Sequence, residues 1–139
     1  MNGKDIIRET KELNLPSDEY TVVGSGALAV RGLREAQDVD LLITADLYEK
    51  LKSNGWSEKH FPDSKREWVI SSGPFDASTS WLVNDYEPDP LDLIESSDVI
   101  EGIRFVSLAN LLTWKKACKR EKDLRDIELI EKHLAQKET

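Results

Sequence analysis

The chain of 139 residues carries 19 Lys and Arg against 27 Asp and Glu, giving a net charge of -8 and a pI near 4.8. That balance disfavours RNA as a partner held by the overall field and leaves only a local basic patch to contact phosphates. Cys118 is the sole cysteine, which excludes an intramolecular disulfide and a thiolate metal cluster; no run approaches the ~20 apolar residues of a membrane span, and the charged N-terminus lacks an apolar signal core.

A single cytoplasmic domain spanning residues 1–139 is therefore expected. In chain order, Asp5 to Leu15 places Ile6, Ile7, Leu13 and Leu15 among charges and predicts a helix stopped by Pro16 and Ser17. Tyr20 to Val23 predicts a buried strand. Gly24-Ser25-Gly26 breaks it, and Ala27, Leu28, Val30 and Leu33 then recur at helical spacing. Val39 to Ile43 reads as an apolar strand, and Leu47 and Leu51 give one face of a helix ending near Asn54-Gly55. Trp56 is expected to begin a crossover. Glu67 to Ser71 and Phe75 to Val83 predict a hairpin turning through Ser72-Gly73-Pro74. A short helix follows Pro88-Asp89-Pro90, then a brief strand at Ile103 to Val106, with Ser107 as N-cap of the next helix. The tail predicts two helices with a break near Lys119 to Glu121, the second burying Leu124, Ile127, Ile130 and Leu134. The resulting order, αβαβαββαβαα, belongs to an α+β or mixed α/β class.

The Gly-Ser-Gly turn has two chemical readings. Gly24, Gly26 and Ala29 spell G-x-G-x-x-A after a strand, the dinucleotide fingerprint. That fold needs an acidic residue about 20 positions beyond the first glycine, near the carboxyl end of the second strand. Here Asp38 and Asp40 sit at the entrance of the second strand, before Leu41-Leu42-Ile43, Asp46 falls in a helix, and the middle of the chain is an antiparallel hairpin. A metal and triphosphate site explains the same letters better. Residues i and i+2 of a strand share a face, so Asp38 and Asp40 can converge while Val39 enters the core, and two carboxylates plus substrate phosphates suit Mg²⁺. The Ser25 hydroxyl and nearby amides can receive phosphate oxygens.

Gly24-Ser25, Ala27-Leu28, Arg34 and Asp38-Val39-Asp40-Leu41 resemble the G-[GS] turn and D-x-D strand of the DNA polymerase β-like nucleotidyltransferase superfamily. The details look most like small bacterial nucleotidyltransferase-like proteins related to abortive-infection and antibiotic-modifying members. Lys115, Arg120, Lys122-Asp123 and Asp126-Ile127 are similar to the basic and acidic ending of those proteins. The resemblance implies a mixed β-sheet flanked by helices, with C-terminal helices packed on the body. It also implies a third carboxylate on a neighbouring strand, for which Asp76 is the best match; the alternative for Asp76 is a turn aspartate capping Gly73-Pro74.

The implied activity is metal-dependent transfer of a nucleoside monophosphate from a triphosphate, such as ATP, to an acceptor hydroxyl on a small molecule, a protein or an RNA end. Asp38, Asp40 and Asp76 would be catalytic and would hold Mg²⁺ or Mn²⁺; Gly24, Ser25, Arg34, Lys115 and Arg120 would contact the nucleotide. Arg34 has the alternative of pairing with Glu35 or Asp38, and the basic residues of the tail that of pairing with Glu121, Asp123 or Asp126. The competing reading is a nucleotide-binding or interaction module with weak catalysis, within a defence or toxin-antitoxin pair. A second subunit or a cognate protein could complete the acceptor pocket.

Overall fold

The computed structural model of the protein describes residues 1–64 and 66–137. Helix α1 (Gly3–Leu13) precedes strand β1 (Tyr20–Val23), a short α2 (Ser25–Ala29), β2 (Val39–Ile43) and α3 (Ala45–Ser53). Strands β3 (Ser57–His60), β4 (Trp68–Ser72) and β5 (Phe75–Ser78) follow, then α4 (Pro90–Glu95), β6 (Asp98–Ile100) and β7 (Ile103–Phe105). Helices α5 (Leu108–Cys118) and α6 (Leu124–Lys137) close the chain, separated by a single 3-10 turn at Glu121–Asp123. The strands form one mixed sheet in the order β3-β4-β5-β2-β1-β7-β6. Among the described residues, the β2–β5 and β1–β7 pairs are parallel and the other strand pairs antiparallel.

Strand alternation divides the sheet into two faces. One carries Val22, Leu41, Ile43, Ile70, Ala77 and Phe105, covered by Ile6 and Ile7 of α1 and Leu47, Tyr48 and Leu51 of α3. The other carries Val23 and Leu42, covered by Leu93, Leu108, Leu111 and Ile130 of α4, α5 and α6. This second face also bears Asp40 and Asp76, each opposite the other in the β2–β5 register. Helix ends are capped as their sequences dictate: Asn2 and Asp5 form a reciprocal capping box, and Thr44, Asp89 and Ser107 each accept a backbone N–H. Among the described residues, no helix is long and apolar enough to cross a membrane.

Several expected elements are displaced. The helix after Gly24 closes early, because Leu33 N–H donates to Leu28 O at 3.1 Å and Gly32 N–H to Ala29 O at 3.0 Å, with Gly32 at φ +72°. That pattern is a Schellman closure, and Gly32 supplies its left-handed residue. Strand β5 ends at Ser78 and not at Val83, since Trp81 leaves the sheet to stack on Trp114 with ring centroids 4.8 Å apart. Trp56 opens no crossover; β3 turns back antiparallel to β4 as an edge strand, and its wholly exposed Ser-Glu-Lys-His sequence has no apolar alternation to betray it. Strand β6, at the opposite edge, is hidden by its brevity: Asp98-Val99-Ile100 is three residues long, too short to show an alternation, with Ile100 packed against the core. Charged side chains on such edges discourage pairing with other chains. Leu124 is 62% exposed, contrary to the expected apolar face. Ile130 is buried and Leu134 packs against the core as expected, but Asp123 and Asp126 take the inward positions ahead of them, which turns Leu124 to solvent.

Candidate active site

The site is built around the first β–α turn. Gly24 adopts φ 67° and ψ -145°, a backbone conformation open to glycine and strained for other residues. A Cβ there would also stand 3.1 Å from Asp40 Oδ2. Gly24 thus lets the Asp40 carboxylate lie against the backbone. Gly26 serves packing: a Cβ would meet Val22 Cγ1 at 2.9 Å.

Asp38 precedes β2 and is exposed, Val39 is fully buried, and Asp40 is half-buried, as the two-residue alternation requires. The Val39 N–H donates to Pro74 O at 2.8 Å, which locks the entrance of β2 to the hairpin turn. Ser25, Arg34, Asp38 and Asp40 line one recess of about 490 Å³. Asp76 lies beside Asp40 across the parallel pair, where neighbouring strands run about 4.8 Å apart. On its other side Asp76 faces Ser71 of β4, whose hydroxyl donates to Asp76 Oδ1 at 2.5 Å. That bond, not a cap on Gly73-Pro74, orients the carboxyl.

Burial pushes the Asp40 carboxyl above the usual carboxylate range. Arg66 pulls it back, while the neighbouring charges of Asp76 and Asp38 add to the rise. Among the described residues, no three carboxylates, thiolates or imidazoles stand close enough to hold one metal ion as placed. The chemistry of the donor set nonetheless suits a hard divalent cation: oxygen ligands only, two of them on adjacent strands and a third two positions along. Neither Arg66 nor Ser71 belongs to a motif. Ser71 was visible only as a register partner, and Arg66 lies in the loop between β3 and β4, where sequence gives no direction.

The other residues expected to contact nucleotide form a separate network. Lys115 is buried, its Nζ 3.1 Å from Asp123 Oδ1 and 3.0 Å from Asp126 Oδ2. Arg120 donates to both oxygens of Asp123, at 2.6 and 3.1 Å, and its guanidinium lies 5.5 Å from the Trp114 ring centroid. Arg34 neither pairs with the Asp38 carboxylate nor with that of Glu35: its Nη1 donates to both oxygens of Asp126 at 3.0 Å. Desolvation would raise the Asp123 pKa, but the Arg120 and Lys115 hydrogen bonds outweigh it and hold the carboxyl below its ordinary value. Arg34 belongs to both regions, since it lines the recess of Asp38 and Asp40 as well. Cys118 is buried and its thiol pushed up by that burial, which leaves it a packing residue.

A mixed sheet with a Gly-Ser turn facing carboxylates on two adjacent strands, covered by helices on both faces, is a nucleotidyltransferase-like fold. The solved structures that share it include ANT(2″)-Ia in complex with adenylyl-2″-tobramycin, at a TM-score of 0.52 and 17% identity over 95% of this chain and 87% of that one. A solution structure of the antibiotic-resistance factor ANT(2″)-Ia matches with a TM-score of 0.52 and 15% identity, over 93% of this chain and 80% of that one. No family model and no curated protein sequence matches the chain.

Proposed function

We propose that the protein transfers a nucleoside monophosphate from a nucleoside triphosphate to an acceptor hydroxyl, using the recess between the Gly24-Ser25 turn and Asp38, Asp40 and Asp76. The observation that carries this reading is the in-register Asp40–Asp76 pair set against Gly24. The fold shared with ANT(2″)-Ia, whose structure holds an adenylylated product, agrees with it.

In this reading the Ser25 hydroxyl and the amides of the turn receive phosphate oxygens, with Arg34 at the rim. Asp38, Asp40 and Asp76 would hold a divalent cation, which would supply charge neutralisation on the triphosphate and acidify the acceptor hydroxyl. The acceptor oxygen forms a bond to the α-phosphorus, the bond from that phosphorus to the bridging oxygen breaks, and pyrophosphate leaves. The hydroxyl proton passes to the Asp76 carboxylate, which Ser71 holds in orientation. Lys115 and Arg120 act at a distance, by fixing the helices that carry Asp123 and Asp126.

The test is incubation with labelled ATP, GTP, CTP or UTP, Mg²⁺ and a panel of hydroxyl acceptors. Label transfer that disappears in Asp38→Asn and Asp40→Asn is the expected result. Transfer unchanged in both variants would overturn it, whereas Mg²⁺-dependent nucleotide binding without turnover would favour the binding-module reading.

A further inference from the structure

Across the carboxylate row from the Ser25 recess lies a second one of about 280 Å³, lined by Lys59, Phe61, Ser64, Arg66, Val69 and Asp76. Its residues come from β3, β4, β5 and the connection between β3 and β4, all beyond the part of the face that α4, α5 and α6 cover. Val69 and Ser71, two apart on β4, put an apolar wall beside the hydroxyl that orients Asp76. Lys59 stands opposite Val69 in the β3–β4 register and so projects from the same face. Phe61 is 46% exposed, which leaves its ring open to a ligand, and its amide is fixed by donation to Glu67 O at 2.6 Å.

Arg66 gives the recess its chemistry. Its Nε donates to the Ser78 hydroxyl at 3.2 Å, which anchors the guanidinium over β5. Among the described residues its two Nη groups have no hydrogen-bond partner, and Lys59 has no ion pair. A guanidinium fixed through Nε and open at both Nη groups is pre-organised for bidentate contact with a phosphate or carboxylate. A counter-ion for Asp40 alone would need neither the second cation nor the exposed ring.

We infer that this recess binds a small organic anion: a phosphate or carboxylate on Arg66 and Lys59, with a flat or apolar body against Phe61 and Val69. Resting on the transfer reading, the anion is the acceptor, whose hydroxyl then lies by Asp76, across the strand pair from a nucleotide in the Ser25 recess. The class differs from the tobramycin moiety in the ANT(2″)-Ia complex, because an amine-rich sugar would be repelled by two cations. A polynucleotide is disfavoured by the net charge of -8, which opposes a phosphate backbone beyond the recess.

Calorimetric titration of the full chain with phenyl phosphate, inorganic phosphate, tobramycin and a single-stranded RNA 10-mer tests this. Phenyl phosphate is expected to bind, at least about tenfold more weakly in Arg66→Gln and in Lys59→Gln, and more weakly in Arg66→Lys than in the wild type. Phe61→Ala should weaken phenyl phosphate but not inorganic phosphate. Mg-ATP affinity should be unchanged in Lys59→Gln and Phe61→Ala, and a cooperative thermal unfolding transition reports that all four variants are folded. No phenyl phosphate binding by the wild type, binding indifferent to Lys59 and Arg66, displacement by tobramycin, tighter capture of the RNA, or an equal loss of Mg-ATP affinity in Lys59→Gln would each overturn the inference. Phenyl phosphate binding that persists where no label transfer is found supports the anion site and counts against the transfer reading alone.

Discussion

Two clusters of charge lie in this molecule, and they are built on opposite principles. Around Lys115, every buried carboxylate meets a cation: Asp123 and Asp126 are 2% and 4% exposed, and Lys115, Arg120 and Arg34 satisfy them. Around Asp40, three carboxylates lie along one strand pair, burial disfavours the charge of Asp40, and a single guanidinium is near enough to lower its pKa. The first arrangement is complete and holds helices together. The second is left unfavourable, as sites that await a ligand commonly are. Residue type did not distinguish them; completeness of pairing does.

Breaking the complete cluster should cost most. Lys115→Met preserves bulk but leaves two buried aspartates with the more exposed Arg34 and Arg120 as their only cations, and a loss of about 3–5 kcal/mol in urea unfolding is expected. A loss under about 1 kcal/mol would show that those arginines suffice. At the incomplete cluster the sign reverses for stability. Asp40→Asn should abolish at least about 99% of label transfer, equivalent to about 2.7 kcal/mol, yet raise folding stability at neutral pH by on the order of 1 kcal/mol. Thermal unfolding with and without Mg²⁺ checks both parts: Mg²⁺ should stabilise the wild type and not the variant.

Gly24→Ala tests the contact between turn and carboxylate. Positive φ and the 3.1 Å approach to Asp40 Oδ2 should together cost about 1–2 kcal/mol, with a parallel loss of nucleotide affinity. Arg34→Gln is the smallest of these changes for the fold. Its side chain is 47% exposed and Lys115 still neutralises Asp126, so stability should fall by less than about 1 kcal/mol while Mg-ATP affinity drops measurably.

The two clusters should also answer pH in opposite directions. The folded pKa of Asp40 lies above its unfolded value, so its ionisation costs stability above that folded pKa, and acidification through it removes the cost. The folded pKa of Asp123 lies below its unfolded value, so its contribution is full above about pH 4 and disappears as pH falls through the folded value. Stability against pH should therefore rise on mild acidification and collapse on strong acidification. Asp40→Asn should flatten the first slope only, and Asp123→Asn the second.

Local periodicity reached far into this fold. Strands β1 and β2 carry the boundaries that their apolar runs predict, Ser107 caps α5, and the tail breaks where expected, because each depends on near neighbours in the chain. The edge strands β3 and β6 were illegible, since an exposed or very short strand shows no apolar pattern and takes its conformation from the neighbour it pairs with. The same division runs through the site. Gly24, Ser25, Asp38 and Asp40 are close in sequence and could be read together; the Asp40–Asp76 register, the Ser71 contact and the Arg66 anchor could not.

What the sequence by itself determined was the chemistry on offer: an acidic D-x-D strand after a Gly-Ser turn, and a tail rich in matched charges. What only the tertiary structure decided was which charges meet. Lys115, Arg120 and Arg34 found Asp123 and Asp126, across separations of up to 92 residues, and Arg66 was left with open donors beside Asp76. Sequence fixes the sign and reach of a side chain. Whether that charge ends as a strut or a binding group depends on distances of a few ångströms between strands and helices far apart in the chain, where desolvation makes a buried carboxylate demand its partner.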